Sequence, residues 1–375
     1  PRWRVAHSPR NGVRPLLLCH AMADETAAKT KLPVKVLAID GGGVRGIIPS
    51  HVLVALEDLT NRSASSLFDV IVGTSIGGIG ALALSAPDED GRPQFTARDV
   101  LDFFCNRAAQ IFPRSALSWP RSLRELEKLI RQPTPTQALL GSNREIGSAR
   151  YSGDGLRAAL TELLGDLTLN AALTEVVIPT YDVRAQRPWF YRSADVRNGA
   201  QPDVPMWQVG MATAAAPTYF PPVDAEDEQG EQQVLVDGGI FANSPAMVGL
   251  LEGVIRARDL GGTARDVMIV SVGTGRVGPR PDRTYDEFIG LTWFKLAQAV
   301  YEAAQAGQSS LNDELLVPLL GDSYWRFDTI LPEGAALGTD NSEDANLDRL
   351  NRLGLELVGQ RVADLARLAQ VLTSG

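Results

Sequence analysis

The sequence predicts an α/β fold in which helices cover a mostly parallel central sheet. Short runs of β-branched residues alternate with helical patterns from Val34 onward, which is typical of that class. Glycine-rich segments follow the first two predicted strands and indicate tight turns. With 375 residues, of which 44% are hydrophobic, the chain is long enough to bury a sizeable core.

Two strand-turn-helix units open the predicted domain. Val34–Ile39 is predicted as a buried strand and Gly41–Gly43 as the turn that follows it. A helix comes next, because apolar residues recur at helical spacing at Val52, Ala55, Leu56 and Leu59. Phe68–Val72 is predicted as the second strand, which leads through Gly73–Gly77 into a helix of small residues through Leu84.

Later elements give shorter signals. Further strands are expected at Val176–Pro179, Val234–Val236 and Val267–Val272. The acidic stretch Asp224–Glu231 is expected to be a solvated loop. Residues 342–373 are predicted to form one amphipathic helix with Ser342 as its cap.

The two ends of the chain are expected to differ in role. Residues 1–30 are interpreted as a tag, vector sequence or disordered arm, with a lipoprotein signal ending at Cys19 as the alternative. Residues 33–335 are predicted to form one folded domain, and residues 340–375 a carboxy-terminal helix packed on it. No apolar run approaches the roughly 18 residues of a membrane-spanning helix. We expect a cytoplasmic protein.

The composition excludes several classes of function. All three histidines, His7, His20 and His51, lie in the first seventh of the chain, so no mechanism can use a late histidine. Two cysteines, Cys19 and Cys105, cannot supply a disulfide framework, and no cluster has the spacing of metal ligands. Residues 22–375 carry 32 basic against 45 acidic side chains, which disfavours a nucleic-acid polymer as a partner.

The segment Gly73–Gly77 matches GxSxG, in which a serine nucleophile sits on a tight strand-to-helix turn. A strand is predicted before it and a helix after it, which is the context that this motif needs. The alternative is a glycine-rich turn with an incidental serine. Ser75 needs a base to act as a nucleophile, and since no histidine follows His51, that base must be another group, such as a carboxylate or a lysine.

Asp237 is the candidate base. It ends the predicted strand Val234–Val236 and precedes Gly238 and Gly239. Ligands of α/β sheets bind beyond the carboxyl ends of strands, so Asp237 and Ser75 are candidates for one crevice. Burial there would raise the pKa of Asp237 and suit it as a base near neutral pH. The alternative is an aspartate that caps a turn.

The loop Asp40–Gly46 has two interpretations. Its glycines fit GxGxxG, the pattern of a dinucleotide site, but no acidic residue ends a second strand about 20 positions later. The same loop offers backbone N–H groups at a helix start, which an oxyanion hole requires. Arg45 is a candidate for orienting the loop or for holding an anionic headgroup.

Three segments in this order resemble the hallmark motifs of the patatin-like phospholipase family: an oxyanion loop DGGGxRG, a GxSxG serine, and a DGG or DGA aspartate. In this chain they are Asp40–Gly46, Gly73–Gly77 and Asp237–Gly239. Further similar stretches are Phe68–Gly80, Ala214–Pro222, Ser271–Gly275 and Asp340–Leu355. The resemblance covers about residues 33–360. It implies a three-layer α/β/α patatin-like fold for the predicted catalytic domain.

The resemblance implies a lipid acyl hydrolase that uses a Ser-Asp dyad without histidine. Ser75 would be the nucleophile, Asp237 the base, and backbone amides of Gly41, Gly42 and Gly43 the oxyanion donors. The supporting motif positions are Asp40, Arg45, Gly46, Gly73, Gly77, Gly238 and Gly239. The sequence has no calcium loop with alternating acids and glycine, so we expect neither a metal nor a cofactor.

A phospholipid or other acyl-lipid substrate requires contact with a membrane or micelle surface, and one stretch is a candidate for it. Residues 107–131 are basic in an otherwise acidic chain. Aromatic and apolar residues lie in or beside this stretch: Phe103, Phe104, Phe112, Leu117 and Trp119. They are candidates for an interfacial lid. The alternative is a helical excursion with a solvated basic face.

The resemblance leaves three alternatives for the activity open. One is acyl transfer to an acceptor other than water. Another is a storage or binding protein of the same fold with incidental esterase activity. The third is an antiphage-type phospholipase effector that a small-molecule activator, such as a cyclic nucleotide, switches on.

Overall fold

The computed structural model describes residues 33–113, 149–227, 229–278, 293–332 and 338–374. The strands are β1 (Val34–Ile39), β2 (Val70–Gly73), β3 (Glu175–Asp182), β4 (Arg187–Arg192), β5 (Val223–Glu226), β6 (Gln232–Asp237), β7 (Val267–Val272), β8 (Arg276–Val277), β9 (Tyr324–Phe327) and β10 (Ile330–Leu331). The helices are α1 (Ile47–Thr60), α2 (Ala64–Leu67), α3 (Ile76–Ser85), α4 (Ala97–Ile111), α5 (Asp154–Leu164), α6 (Ser193–Arg197), α7 (Met206–Thr213), α8 (Gly239–Ala242), α9 (Ala246–Asp259), α10 (Trp293–Leu320), α11 (Asp344–Gln360) and α12 (Val362–Thr373).

The central sheet is mixed but mostly parallel, which confirms the predicted fold class. Its strands lie in the order β5-β6-β3-β2-β1-β7-β9, with β4 paired to β3. Neighbours from β3 to β9 are all parallel, whereas β4 and β6 are antiparallel to β3. Strands β8 and β10 form a separate two-stranded sheet.

The parallel strands divide their side chains between two buried cores. In β1, Leu37 and Ile39 join the core on one face, whereas Val36 and Ala38 join the core on the other, as the two-residue period of a strand requires. Helices α1, α3, α4, α5, α11 and α12 cover the first core, and α9 with Leu316 of α10 covers the second. Both faces are apolar because helices cover both, and the result is the three-layer α/β/α arrangement.

One edge of β3 is shared by two strands that meet end to end. Val72 of β2 pairs with Val177, and Asp237 of β6 pairs with Thr180. The opposite edge of β3 is occupied along this length by β4. Because β2 is parallel and β6 antiparallel to β3, the carboxyl ends of β2 and β6 point at each other. The chain leaves both strands at the gap between them.

Several elements differ from their prediction. Strands β4, β5, β8, β9 and β10 were not predicted, and β5 overlaps the stretch Asp224–Glu231 that was expected to be a loop. Only Ala225 of β5 is buried, so this edge strand has almost no apolar signal. The second strand begins at Val70, because Phe68 follows directly on the short helix α2. Residues 1–30 lie outside the described residues.

The carboxy-terminal segment forms two helices, and the prediction of a single helix is wrong. Helix α11 ends at Gln360, and α12 begins at Val362 after Arg361 leaves the helical conformation at ψ 18°. Ser342 is not the cap: Glu343 occupies that position, and Ser342 Oγ donates to the carbonyl of Phe112 at 2.9 Å. Both helices bury leucines in the first core.

Helix α11 packs closely on α1 through a glycine. A Cβ at Gly354 would lie 2.4 Å from Cδ2 of His51, whose Nε2 bonds Oδ1 of Asn351 at 3.0 Å. His51 is therefore a packed residue of the helix interface. Among the described helices, none is both long and apolar enough to cross a membrane.

Gly354→Ala is expected to lower the free energy of unfolding by about 1–3 kcal/mol, because the new methyl group overlaps the His51 ring. Gly359→Ala is the matched control on the same helix, since no atom lies within 4 Å of a Cβ there. That change should raise stability by up to about 1 kcal/mol through helix propensity. Equal stability of the two variants in thermal or urea unfolding would contradict this packing.

Candidate active site

Ser75 lies on a strained turn between β2 and α3, in the strand-turn-helix context that the motif requires. Its φ of 56° and ψ of −124° are unfavourable for a residue with a side chain. A Cβ at Gly73 would lie 2.1 Å from the carbonyl oxygen of Gly77, and one at Gly77 would lie 2.4 Å from that of Ile39. The two glycines of GxSxG are therefore required by close approach of backbone to backbone.

Thr213, the last residue of α7, holds this turn against β3. Its Oγ1 accepts a hydrogen bond from the amide of Ser75 at 3.0 Å and donates one to the carbonyl of Pro179 at 2.8 Å. Pro179 lies on β3 at the gap between β2 and β6. Thr213 thus supplies partners for two backbone groups at this gap, as buried polar groups require. No motif in the sequence marks this residue.

Asp237 is the last residue of β6 and is almost fully buried. Its Oδ1 accepts a hydrogen bond from the amide of Gly239 at 2.6 Å, and Ser75 lines the same pocket, where its side chain stabilises the charged form of the Asp237 carboxyl. Burial raises the pKa of Asp237 to about 7, while the hydrogen bond from Gly239 and the neighbouring Ser75 side chain oppose that rise. A carboxyl group with this pKa is a competent proton acceptor near neutral pH.

The structure brings Ser75 and Asp237 together for a reason that the sequence analysis did not foresee. Strand β6 is antiparallel to β3, so the two residues do not lie at the carboxyl ends of parallel strands. They meet because β2 and β6 converge end to end along β3. Gly238 allows this approach, since a Cβ there would lie 2.3 Å from the carbonyl oxygen of Pro179.

The glycines of the loop after β1 divide into two kinds. The amide of Gly41 donates to the carbonyl of Asn243 at 2.8 Å, so Gly41 is not an oxyanion donor as the sequence analysis expected. Its carbonyl accepts from Thr274 Oγ1 at 2.7 Å. Gly42 and Gly43 line the pocket beside Ser75, and within the described residues their amides make no hydrogen bond. The oxyanion donors that this geometry supports are those two amides.

Buried polar contacts anchor the same loop at its start. Asp40 is almost fully buried, and its Oδ2 accepts a hydrogen bond from Arg326 Nη2 at 2.6 Å. Arg326 also donates to Asp328 and Ser271, at 2.9 and 2.7 Å. Burial raises the pKa of Asp40 to about 6, while the Arg326 guanidinium opposes that rise.

A second anchor lies at the other end of the loop. The carbonyl of Thr339 accepts a hydrogen bond from the amide of Val44 at 2.8 Å, and the neighbouring Asp340 accepts one from Tyr151 Oη at 2.6 Å. Arg150 forms an ion pair with Asp340 at 2.5 Å. A Cβ at Gly43 would lie 2.0 Å from the Thr339 oxygen, so this position also requires glycine.

Two further motif positions lie behind the pocket. A Cβ at Gly46 would lie 2.7 Å from Cγ1 of Ile76, so Gly46 lets the loop pack against the serine turn. Arg45 is half-buried beside it, with its Nε buried and without a hydrogen-bond partner in the described residues. Arg45 does not line the pocket.

The pocket above Ser75 and Asp237 is mainly apolar. Its lining comprises Gly42, Gly43, Ser75, Ile76, Ile79, Ile111, Phe112, Leu156, Ala214, Ala216, Tyr219, Phe220, Asp237, Tyr301, Gln305 and Thr339. The described residues contain no group of three His, Cys, Asp or Glu side chains that could hold a metal ion.

The candidate lipid-contact stretch is described only as far as residue 113. Phe104 and Phe112 are buried in the first core, so they are not surface aromatics as the lid hypothesis expected. Phe103 is partly buried against the same core, and Arg107 forms an ion pair with Glu162 of α5. Leu117, Trp119 and the remaining basic residues lie outside the described residues.

Comparison with known proteins agrees with the motifs. The profile of the patatin-like phospholipase family matches residues 37–250. Patatin-like protein 1 of Arabidopsis thaliana is 30% identical over 368 residues, which cover 88% of this chain and 83% of that protein. Patatin-17 of Solanum cardiophyllum is 28% identical over 370 residues, which cover 92% and 88%.

The solved structure of VipD from Legionella pneumophila aligns with 89% of this chain and 67% of its own, at 15% identity and a TM-score of 0.37. The family profile covers more than half of this chain, and the Arabidopsis relative covers most of both sequences. The chain belongs to the patatin-like phospholipase family. It is thereby a member of a family of lipid hydrolases.

Thr213→Val is expected to lower the free energy of unfolding by about 1–3 kcal/mol, because the amide of Ser75 and the carbonyl of Pro179 lose their partner. Thr213→Ser keeps the hydroxyl and loses only a methyl group, so it should be the more stable of the two variants. Urea unfolding measures the difference. A valine variant as stable as the serine variant would show that the bridge contributes nothing.

Proposed function

We propose that this protein hydrolyses fatty acyl esters of phospholipids, as a phospholipase A or lysophospholipase, through an acyl-serine intermediate formed by a Ser-Asp dyad. The observation that carries the proposal is that Ser75 and Asp237 line one pocket, where a serine in a strained conformation lies by a buried carboxylate with a pKa raised to about 7. Gly42 and Gly43 line the same pocket, and their amides make no hydrogen bond within the part of the chain that the structure describes. A cytoplasmic location remains a prediction.

In the first step, Asp237 accepts the proton of the Ser75 hydroxyl as its oxygen attacks the ester carbonyl carbon. Negative charge develops on the carbonyl oxygen, and the amides of Gly42 and Gly43 stabilise it. The tetrahedral intermediate collapses when the bond to the alcohol oxygen breaks. The alcohol leaves with the proton that Asp237 returns, and the acyl group stays on Ser75.

In the second step, water replaces the alcohol and attacks the acyl-serine carbonyl while Asp237 accepts its proton. The intermediate releases the fatty acid and restores the Ser75 hydroxyl with that proton. The dyad therefore ends each cycle in its starting state. No residue other than Ser75 and Asp237 is needed to carry a proton.

The lining of the pocket supports a long-chain acyl group as the substrate class. Its walls are formed by apolar side chains from the three helices α3, α4 and α5 and from the segments that follow α4 and α7, among them Ile79, Phe112, Leu156 and Phe220. These side chains favour a fatty acyl chain over a polar acyl group by the hydrophobic effect. Ser75, Asp237, Gly42 and Gly43 line the same pocket, so the ester bond must be placed beside them.

Ser75→Ala is expected to abolish labelling by a fluorophosphonate and to lower fatty acid release from phospholipid vesicles by more than about 1000-fold, because the nucleophile is lost. Mass spectrometry of the lipid products measures the reaction. Ser66→Ala removes an exposed serine hydroxyl and is the matched control, with unchanged rates. Retained hydrolysis in Ser75→Ala would refute the proposal.

The pH dependence should report the ionisation of Asp237. Only the carboxylate can accept a proton, so kcat/KM is expected to rise about tenfold per pH unit below pH 7 and to level off above it. Asp237→Asn should keep the fold, measured by thermal unfolding, and lose turnover. An acid limb centred near pH 4, the usual range of an exposed aspartate, would rule out a buried Asp237 as the base.

A further inference from the structure

Helix α10 brings two polar side chains to the pocket from outside all three motifs. The family profile ends at residue 250, whereas Tyr301 and Gln305 lie one turn apart on α10 and both line the pocket. The same face of α10 continues with Gln308 and Asn312. Their side-chain amides donate to backbone carbonyls of the segment that follows Asp237, at 3.0 and 2.7 Å. These bonds hold the helix against that segment.

The hydroxyl of Tyr301 lies beside the carboxylate of Asp237. A Cβ at Gly239 would lie 2.7 Å from Tyr301 Oη, 3.0 Å from Asp237 Oδ1 and 3.1 Å from Gln305 Nε2. The missing side chain of Gly239 therefore leaves room for these three polar atoms to converge. Within the described residues, Tyr301 Oη is buried and has no hydrogen-bond partner of good geometry.

An unpaired buried hydroxyl in a pocket wall is a site for a ligand oxygen. Folding removes water from the hydroxyl at a cost, and a ligand that completes its hydrogen bond recovers that cost. Burial and the neighbouring Asp237 raise the pKa of the Tyr301 phenol well above its ordinary value. The phenol therefore stays protonated and can act as a donor.

The proposed hydrolysis places an oxygen beside Asp237 in both of its steps. When the carbon–oxygen bond of the ester breaks, the electron pair goes to the alcohol oxygen, which takes its proton from Asp237. Water then occupies the vacated place and returns a proton to Asp237. The glycine amides hold the other oxygen, that of the carbonyl. Besides the Ser75 hydroxyl, which attacks the ester, the structure brings the Tyr301 hydroxyl beside Asp237.

We propose that Tyr301 is a catalytic residue that donates a hydrogen bond from Oη to the leaving alcohol oxygen, and then to the water that replaces it. This inference rests on the proposed hydrolase function. It gives α10 a part in the reaction. Stabilisation of the leaving oxygen matters most when the alcohol is a poor leaving group.

The test compares two esters of the same fatty acid on Tyr301→Phe. The alcohol oxygen of an alkyl ester must be stabilised as it leaves. The p-nitrophenolate anion is stable by itself and leaves without such help. We expect kcat/KM for the alkyl ester to fall about 10- to 100-fold, the effect of one charge-assisted hydrogen bond. The p-nitrophenyl ester and the rate of fluorophosphonate labelling should change less than about threefold. Both esters are measured on one preparation, so any misfolded fraction cancels in their ratio.

Tyr191→Phe is the matched control, because it removes the hydroxyl of a buried tyrosine on β4, outside the pocket. All three rates should stay unchanged in that variant. An equal fall for both esters in Tyr301→Phe would overturn the inference, since the residue would then act through Asp237 or through the fold. Unchanged rates would overturn it as well. Hydrolysis that survives Ser75→Ala would instead refute the proposed function, so the two failures are distinguishable.

Discussion

The site depends on the way in which one edge of β3 is shared. Each residue of a strand edge accepts one partner, so β2 and β6 cannot overlap along β3 and must both end where they meet. Because they run in opposite directions, both end with their carboxyl termini at the same gap. Ser75 follows the end of one strand and Asp237 is the end of the other. The proximity of Ser75 and Asp237 is a consequence of this convergence.

Closing the gap requires backbone to lie against backbone. Gly73, Gly77 and Gly238 each stand where a Cβ would approach a carbonyl oxygen within 2.1 to 2.4 Å. At this gap, the hydroxyl of Thr213 supplies hydrogen-bond partners for the amide of Ser75 and the carbonyl of Pro179. The same crowding keeps water from Asp237, and this burial is what raises its pKa to about 7. The close approach of Asp237 to Ser75 and the raised pKa of Asp237 thus have the same cause.

Local pattern was sufficient for some features and not for others. Strands β1 and β7 have the predicted bounds because they are buried on both faces, so their apolar runs are unbroken. Strand β5 and the break at Arg361 have no comparable signal, since an edge strand and a helix break depend on neighbours that are distant in sequence. Ser342 has the chemistry of a helix cap, yet its hydroxyl is used by the carbonyl of Phe112.

The candidate site divides in the same way. Arg326, Thr213 and Tyr301 were not predicted because each is a single residue, far from the motif that it contacts and without a pattern of its own. Gly41 was predicted as an oxyanion donor because nothing in the sequence distinguishes it from Gly42 and Gly43. Its amide is used by Asn243, which lies about 200 positions away along the chain.

The sequence by itself determined the chemistry that is available: a serine on a GxSxG turn, no histidine after His51, an aspartate in a DGG segment, and a family that joins them. Only the tertiary structure decided how these groups meet and which of them are free to act. The physical reason is that a motif reflects the backbone conformation of a few neighbouring residues. Contacts between segments that are distant in the sequence produce the other features: the convergence of β2 and β6, the burial of Asp237 and the pairing of the Gly41 amide. Tyr301 is brought to Asp237 by the same kind of long-range packing.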